Sequence, residues 1–442
     1  MKRALPLRSA TAVAVAAVLV GATAGCGGSG GSGGGGGHAD RAGRVTVWSL
    51  KDTALNPLQA KSVRTYNAAG PKSQATLATF ENDPYKAKLA SSLGTAATPD
   101  VFLNWGGGNL ADYVEAGRVA DLSGELDATF RDEFLHSVLA AGTVGGNVYG
   151  IPMQGVQPVA LFFNKDVFAQ AGIGAAPATW QELLDDIDAL KAAGVTPIAL
   201  AGSQSWTELM WMEYLLDRVG GPGVFAAIQA GKAGAWDDPA VTAALRMIRE
   251  LVDRGAFGTD YGSVGQDSGG ADALLSKGRA GMELMGSWEY ASQLASAPGF
   301  VKGGKLGWST FPTVPGGKGD PKDVVGNPSD FFSVAAGSGH LADAADFISK
   351  TVTQPSYVTG LISIGQVPAV AGIEDQLTSG PNASYTTFVY EMVEHAPSFT
   401  QSWDQALSPA TGQAMLAALQ KVFNGTSTTR EFVSTMDALH AR

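Results

Sequence analysis

Apolar side chains recur along this chain first at every second residue and then at every third or fourth, and the two patterns alternate. RVTVWSL (44–50) alternates and predicts a strand. LNPLQAKSVRTYNAA then predicts a helix, ATLATFE a strand ending at Glu81, DPYKAKLASSLGTA a second helix, and PDVFLNW a strand ending at Trp105. Further on, Thr179 and Glu182 in TWQE form a capping box for a helix through Lys191. TPIALA predicts a strand and TELMWMEYLLDRVG a helix. PAVTAALRMIRELVDRG is strongly periodic, with Pro239 near its start and Gly255 at its stop. AGMELMG, KLGWSTFP and DFFSVAA predict three more strands, and the tail from Leu341 reads as mostly helical. Strands alternating with helices build a mostly parallel sheet with helices on its faces. Two such units predict two α/β lobes, and no repeat of fixed period runs through them.

Composition narrows the function. The chain has 442 residues, 45% hydrophobic and 16% charged, enough for two domains with a sizeable core. Thirty basic against 41 acidic residues give a net charge of −11, which argues against nucleic acid as a partner. The single cysteine, Cys26, rules out an internal disulfide and a cysteine-based metal cage, and the five histidines form no metal signature. HExxH, GxSxG and P-loop motifs do not occur. GGGNLA from Gly106 fits G-x-G-x-x-A but does not follow the first strand, so its glycines are expected to let backbone approach a ligand. No cofactor is expected.

The N-terminus reads as a processing segment. Lys2, Arg3 and Arg8 precede the short apolar run ATAVAVAAVLVGA, and TAGC ends at Cys26. That arrangement resembles the lipobox of bacterial lipoproteins, in which the cysteine is acylated and becomes the mature N-terminus. Thr23 departs from the leucine usual at its position, and cleavage after ATA (22–24) would instead release a secreted protein. The run GGSGGSGGGGG (27–37) is a tether with a reach of about 20 Å.

Between the two α/β units lies YGIPMQGVQPVALFFNKDVFAQAGI (149–173), an apolar run carrying Gln154 and Gln157. Gly155 and Val156 as a crossover would put both glutamines in a groove between lobes; the bland alternative is the solvent side of a surface strand. Together with PATWQELLDDIDALKAAG, the run resembles the signature of family 1 extracellular solute-binding proteins, the sugar-capturing lipoproteins of carbohydrate ABC importers related to maltose-binding protein. Phe163 stands where that signature more often has tyrosine. KGRAGMELMGSWE (277–289) and PDVFLNWGGGNLADYVEAGRVADLS resemble the family's other motifs. The resemblance covers the body from Arg44 onward. It implies two lobes, each a mainly parallel sheet flanked by helices, joined by three hinge crossovers near 153–156, 308–311 and 353–356. Lobe 1 would comprise 44–154 and 312–353, and lobe 2 155–311 and 354–442. The implied partners are a carbohydrate and the membrane subunits of an ABC permease, with the protein a monomer held to the membrane by lipid alone.

Ligands in such sheets sit beyond the carboxyl ends of the strands. A sugar needs aromatic plates for its C–H face and paired acceptors for its hydroxyls. Trp288 in GSWE is the leading stacking candidate, and Trp206 a second, with Trp211 one turn on assigned to the core. Glu81, Asp83 and Asn104 follow strands of the first unit, though each also suits a cap or a turn. Gln154 and Gln157 gain weight from the family. The resemblance also points to Trp403 and Asp404 in SWDQAL, and Asn327 and Asp330 in GNPSDFF are weaker candidates. Trp180 and Trp236 read as structural. A glycoside hydrolase is the rival class; it needs two carboxylates flanking one bond, and Glu208 and Glu289 are candidates that no spacing pairs. A non-sugar solute is the third reading.

Overall fold

A computed structural model describes residues 43–440. Cys26 and the glycine-rich run lie outside the described residues. The strands, in chain order, are β1 (Arg44–Leu50), β2 (Gln74–Phe80), β3 (Val101–Asn104), β4 (Thr143–Val144), β5 (Asn147–Val148), β6 (Ile151–Pro152) and β7 (Gln157–Asn164). They continue with β8 (Thr196–Ala199), β9 (Ala280–Gly286), β10 (Leu306–Ser309), β11 (Val324–Asn327), β12 (Phe331–Val334) and β13 (Phe399–Gln401).

Two sheets, each covered by helices, form two α/β bodies. The first runs β2-β1-β3-β12-β6 and the second β13-β11-β7-β9-β8, with β10 also on β7. In β1, Val45, Val47 and Ser49 are buried and their alternates half-buried, as the period-two pattern requires. Strand β9 is buried along its whole length, covered on both faces. Each body has its own apolar core: Val47, Tyr85, Leu103 and Phe347 are in the first, and Phe162, Trp211, Ile248 and Trp403 in the second.

Strand direction follows the connections. β1, β2 and β3 are parallel, and so are β8 and β9, because helices link or flank them. β12 runs antiparallel to β3 and β6, and β7 antiparallel to β9, β10 and β11. These strands arrive by crossing from the other body, so no right-handed strand–helix–strand unit dictates their direction. The sheets are therefore mixed, with the parallel strands at their β2 and β8 edges and at β13.

The chain leaves the first sheet between Pro152 and Gln157, returns between Asn327 and Phe331, and goes back after the helix Leu341–Ser349. The second passage differs from the expected 308–311. β10 and β11 both pair with β7, so residues 324–327 sit in the second sheet rather than in the first lobe, where 312–353 was expected. The physical reason is the intervening TVPGGKGDPKD: its turn residues fold the chain back onto β7 instead of carrying it across.

Helix ends are set locally. Thr179 Oγ1 accepts from Glu182 N at 3.2 Å and Glu182 Oε2 accepts from Ala178 N at 2.8 Å, starting the helix Trp180–Ala192. The helix Ser205–Gly220 is buried nearly all round, its acids Glu208, Glu213 and Asp217 included. Among the described residues no helix is long and apolar enough to cross a membrane.

Candidate functional site

The carboxyl ends of β1, β2 and β3 open onto a cleft of about 410 Å³, whose other wall comes from the second body. From the first body come Asp52, Glu81, Lys86 and Trp105; from the second, Trp206, Gln266, Asp267, Asp272, Trp288 and Asp404. Gln154, Gln157, Asn327 and Asp330 lie at or beside the two passages between the sheets and line it as well. Its volume falls in the range of about 300–1,000 Å³ usual for small-ligand sites.

Trp288 follows β9 and turns its ring back over the strand end. A Cβ on Gly286 would stand 2.0 Å from that ring, so only glycine lets the indole lie there. The Trp206 indole sits 6.3 Å from it, centroid to centroid, tilted by 49°. Trp206 opens the long buried helix Ser205–Gly220, which fixes its place. Together the two rings form an aromatic wall.

Unpartnered polar atoms belong to residues of the same cleft. Trp206 Nε1, Gln266 Oε1, Asn327 Oδ1 and Asp330 Oδ1 are buried and make no hydrogen bond within the protein. Buried polar atoms are nearly always partnered; these four orphans all belong to residues that line the one cleft. Burial raises the Asp330 carboxyl to about 7, against an opposing hydrogen bond from Gln157. Burial also raises Asp52, while the N–H groups of Leu55 and Ala54, both 2.8 Å from its Oδ1, pull the other way. Lys86 Nζ lies 3.0 Å from Asp404 Oδ2 and 5.0 Å from the centroid of the Trp105 ring, joining the bodies at one end of the cleft.

The cleft thus brings together Trp288, Trp206, Glu81, Gln154, Gln157, Asp330 and Asp404. Three other candidates lie off its lining. Trp403 is 1% exposed, stacked on Phe225 at 4.5 Å with rings 6° apart, and belongs to the second core. Asn104 is buried, donates to Ser333 Oγ at 2.7 Å and accepts from Gly106 N at 2.9 Å, which shapes the turn after β3. Asp83 is exposed in the first turn of the helix Asn82–Ser92 and accepts from Gln204 Nε2 at 3.4 Å. The glycines after Trp105 also differ from expectation. A Cβ on Gly106 would meet the Ala141 carbonyl at 2.5 Å and one on Gly108 the Ala406 carbonyl at 2.3 Å, so they admit protein backbone, not a ligand.

A family model described as bacterial extracellular solute-binding protein matches residues 48–354. The chain belongs to this family. Diacetylchitobiose binding protein DasA of Streptomyces coelicolor is 26% identical over 371 residues, 83% of each chain. A multiple sugar-binding protein of Streptococcus mutans is 26% identical over 242 residues, 53% of this chain and 54% of that one. A structure from work on xylan utilization by Caldanaerobius polysaccharolyticus superposes with a TM-score of 0.81 at 27% identity, over 90% of this chain and 99% of the other. A chitin oligosaccharide binding protein gives the same TM-score at 25% identity, over 90% and 98%. Three of these four are named as binding proteins, and the family places the chain outside the cytoplasm.

As a solute-binding protein the chain holds residues that sequence reading passed over. Lys86 lies one turn after Asn82 on the same helix face, a spacing of four that carries a signal. Gln266 and Asp267 sit in the polar, glycine-rich GQDSGG; Gln204 Oε1 accepts from their N–H groups at 2.6 and 3.1 Å. Nothing local marks that loop as a wall of the cleft. Glu208 and Glu289, candidates for a hydrolase pair, are both 0% exposed and off the cleft lining.

Proposed function

We propose that this protein captures a short oligosaccharide in the cleft between its two α/β bodies and delivers it to the membrane subunits of an ABC importer. Family membership supports the transport role. The observation that carries the sugar reading is the pair of indoles, Trp206 and Trp288, in one cleft with residues that hold orphaned hydrogen-bonding atoms. Aromatic rings take the C–H face of a pyranose; Asp330, Asn327 and Gln266 take its hydroxyls. A carboxylate that reads a hydroxyl rejects the epimer lacking it, which would leave it buried and unpaired. Gln154, Gln157 and Glu81 complete the contacts, with Asp404 tied to Lys86 at the rim. Trp403, Asn104 and Asp83 support the walls without touching the ligand.

The two lobes rock about the passages near 153–156, 328–330 and 353–356, and the sugar holds the closed form because it touches both walls. The protein works as a monomer, tethered by acylated Cys26 and the glycine-rich run. Binding without turnover is its whole task.

Calorimetry against a panel of chitin-derived, xylan-derived and α-linked glucose oligosaccharides tests this. The relatives put diacetylchitobiose and chitin oligosaccharides first on it by name, and the likeness to a structure from work on xylan utilization adds xylan fragments. Saturable binding of at least one sugar with no hydrolysis is expected. Silence across the panel sinks the sugar reading, and release of smaller sugars sinks the binding-only reading. Mass spectrometry of the mature protein tests the anchor: an unmodified Cys26 rejects it.

A further inference from the structure

Beside Trp288, three carboxylates share one buried space that sugar capture does not explain. Asp272 comes from the helix Gly270–Ser276, Glu283 from the middle of β9, and Glu289 from the first turn of the helix Glu289–Ser296. They are 8, 1 and 0% exposed. One oxygen of each lies within 4.8 Å of the others.

The hydrogen bonds available do not account for these groups. Asp272 Oδ1 accepts from Gln266 Nε2 at 2.6 Å, and Glu289 Oε1 accepts from Gln293 Nε2 at 2.7 Å. Both oxygens of Glu283 and Oε2 of Glu289 have no partner. Gln293, itself 0% exposed, anchors its amide nitrogen on Glu289 and on the Asp272 carbonyl, yet its Oε1 is also unpartnered. Among the described residues, no lysine, arginine or histidine forms an ion pair with any of the three acids.

Three carboxylates this close and this dry cannot all stay ionised without a counter-charge. Protons are one remedy. A proton shared between Asp272 and Glu289 would serve those two, but it leaves both oxygens of Glu283 bare. A proton on Glu283 would remove its charge, yet no hydrogen bond to either of its oxygens is seen. A cation takes one oxygen from each of the three acids and supplies the missing charge.

We propose that Asp272, Glu283 and Glu289, steadied by Gln293, bind one hard divalent cation, calcium by size, in the wall beside Trp288. The donor set is all oxygen, which selects hard cations over zinc or copper. Calcium–oxygen distances of about 2.3–2.6 Å allow two ligands of one ion to stand up to about 5 Å apart, whereas magnesium's octahedron allows about 4 Å. Asp272 reaches the cleft lining, which gives the ion an entry path and room for water ligands. The ion would fasten β9 to the two helices that flank Trp288. This site is independent of which solute the cleft takes.

Sugar-free protein stripped with EDTA and dialysed into metal-free buffer is titrated with calcium chloride, then with magnesium chloride, by calorimetry and thermal melting. Expected are one calcium per chain, a saturable rise in melting temperature, and weaker binding of magnesium. Glu283→Gln and Glu289→Gln each weaken calcium binding tenfold or more, and the exposed control Glu391→Gln leaves it unchanged. No heat and no melting shift in the wild-type protein up to about 10 mM calcium, ten times the weakest affinity usual in extracellular modules, overturns the proposal. So does an undiminished response in Glu283→Gln. The wild-type titration decides the matter even if a variant fails to fold, and no sugar enters the readout.

Discussion

Gly286 and Trp288 work as a pair. The indole lies where a Cβ on residue 286 would be, so Gly286→Ala must displace it. Trp288→Ala removes it outright. Both substitutions should lower affinity for the captured sugar tenfold or more, about 1.4 kcal/mol, in calorimetric titration. Unchanged affinity in Trp288→Ala would remove the ring from the site. Trp403→Ala should behave oppositely. Its indole stacks on Phe225 in the core, so the change should lower stability by about 3–5 kcal/mol in urea unfolding and leave sugar affinity nearly as it was. A large loss of affinity at unchanged stability would return Trp403 to the ligand wall. SWE and SWD look alike as strings, and each tryptophan leads into a helix. What separates them is what each ring meets: solvent-lined space for one, Phe225 and Trp236 for the other.

Elements were readable where the rule is local. The capping box at Thr179 starts its helix where expected, and Leu183, Leu184, Ile187 and Leu190 form its buried stripe. Thr179→Ala should lower stability by about 1 kcal/mol by chemical denaturation, with no change in sugar affinity. A neutral result would mean that packing alone holds that helix end. Other element-level facts depend on partners far along the chain. Glu213 Oε1 accepts from Ser402 Oγ and Trp403 N, each at 2.8 Å, which pins the short helix Trp403–Ala406 and so presents Asp404 to the cleft. A buried glutamate on an otherwise core-facing helix gives no hint of a partner some 190 positions away. The same holds for β11, whose pairing to β7 depends on how a loop folds back.

Across the whole molecule, buried acids govern the response to pH. Burial raises Glu208 and Glu213 to about 8, Asp330 to about 7 and Asp217 to about 6. The native protein therefore holds protons that the unfolded chain has released once pH exceeds about 4. Stability must fall as pH rises through that window, most of it lost by about pH 8. Melting of sugar-free, metal-free protein should show a lower transition temperature at about pH 8 than at about pH 5. A flat or rising profile would mean these carboxyls are solvated or paired in solution. Closure is the other whole-molecule property. Small-angle scattering should show compaction when the sugar binds, and identical profiles with and without it would argue against hinge motion.

The alternation of the longer strands and helices, the capping box and the family motifs were legible in the sequence alone, whereas the short strands β4, β5, β6, β11 and β13 were not. Each legible feature rests on neighbours within a few positions, or on strings that survive without coordinates. Which strand-end residues share one cleft, which tryptophan faces it, and where the chain passes back between sheets were decided only by the tertiary structure. The physical reason is that a side chain's role here is set by the other body's surface. Asp330 and Trp206 line one cavity because two sheets meet, and Asp272, Glu283 and Glu289 converge because a strand and two helices pack.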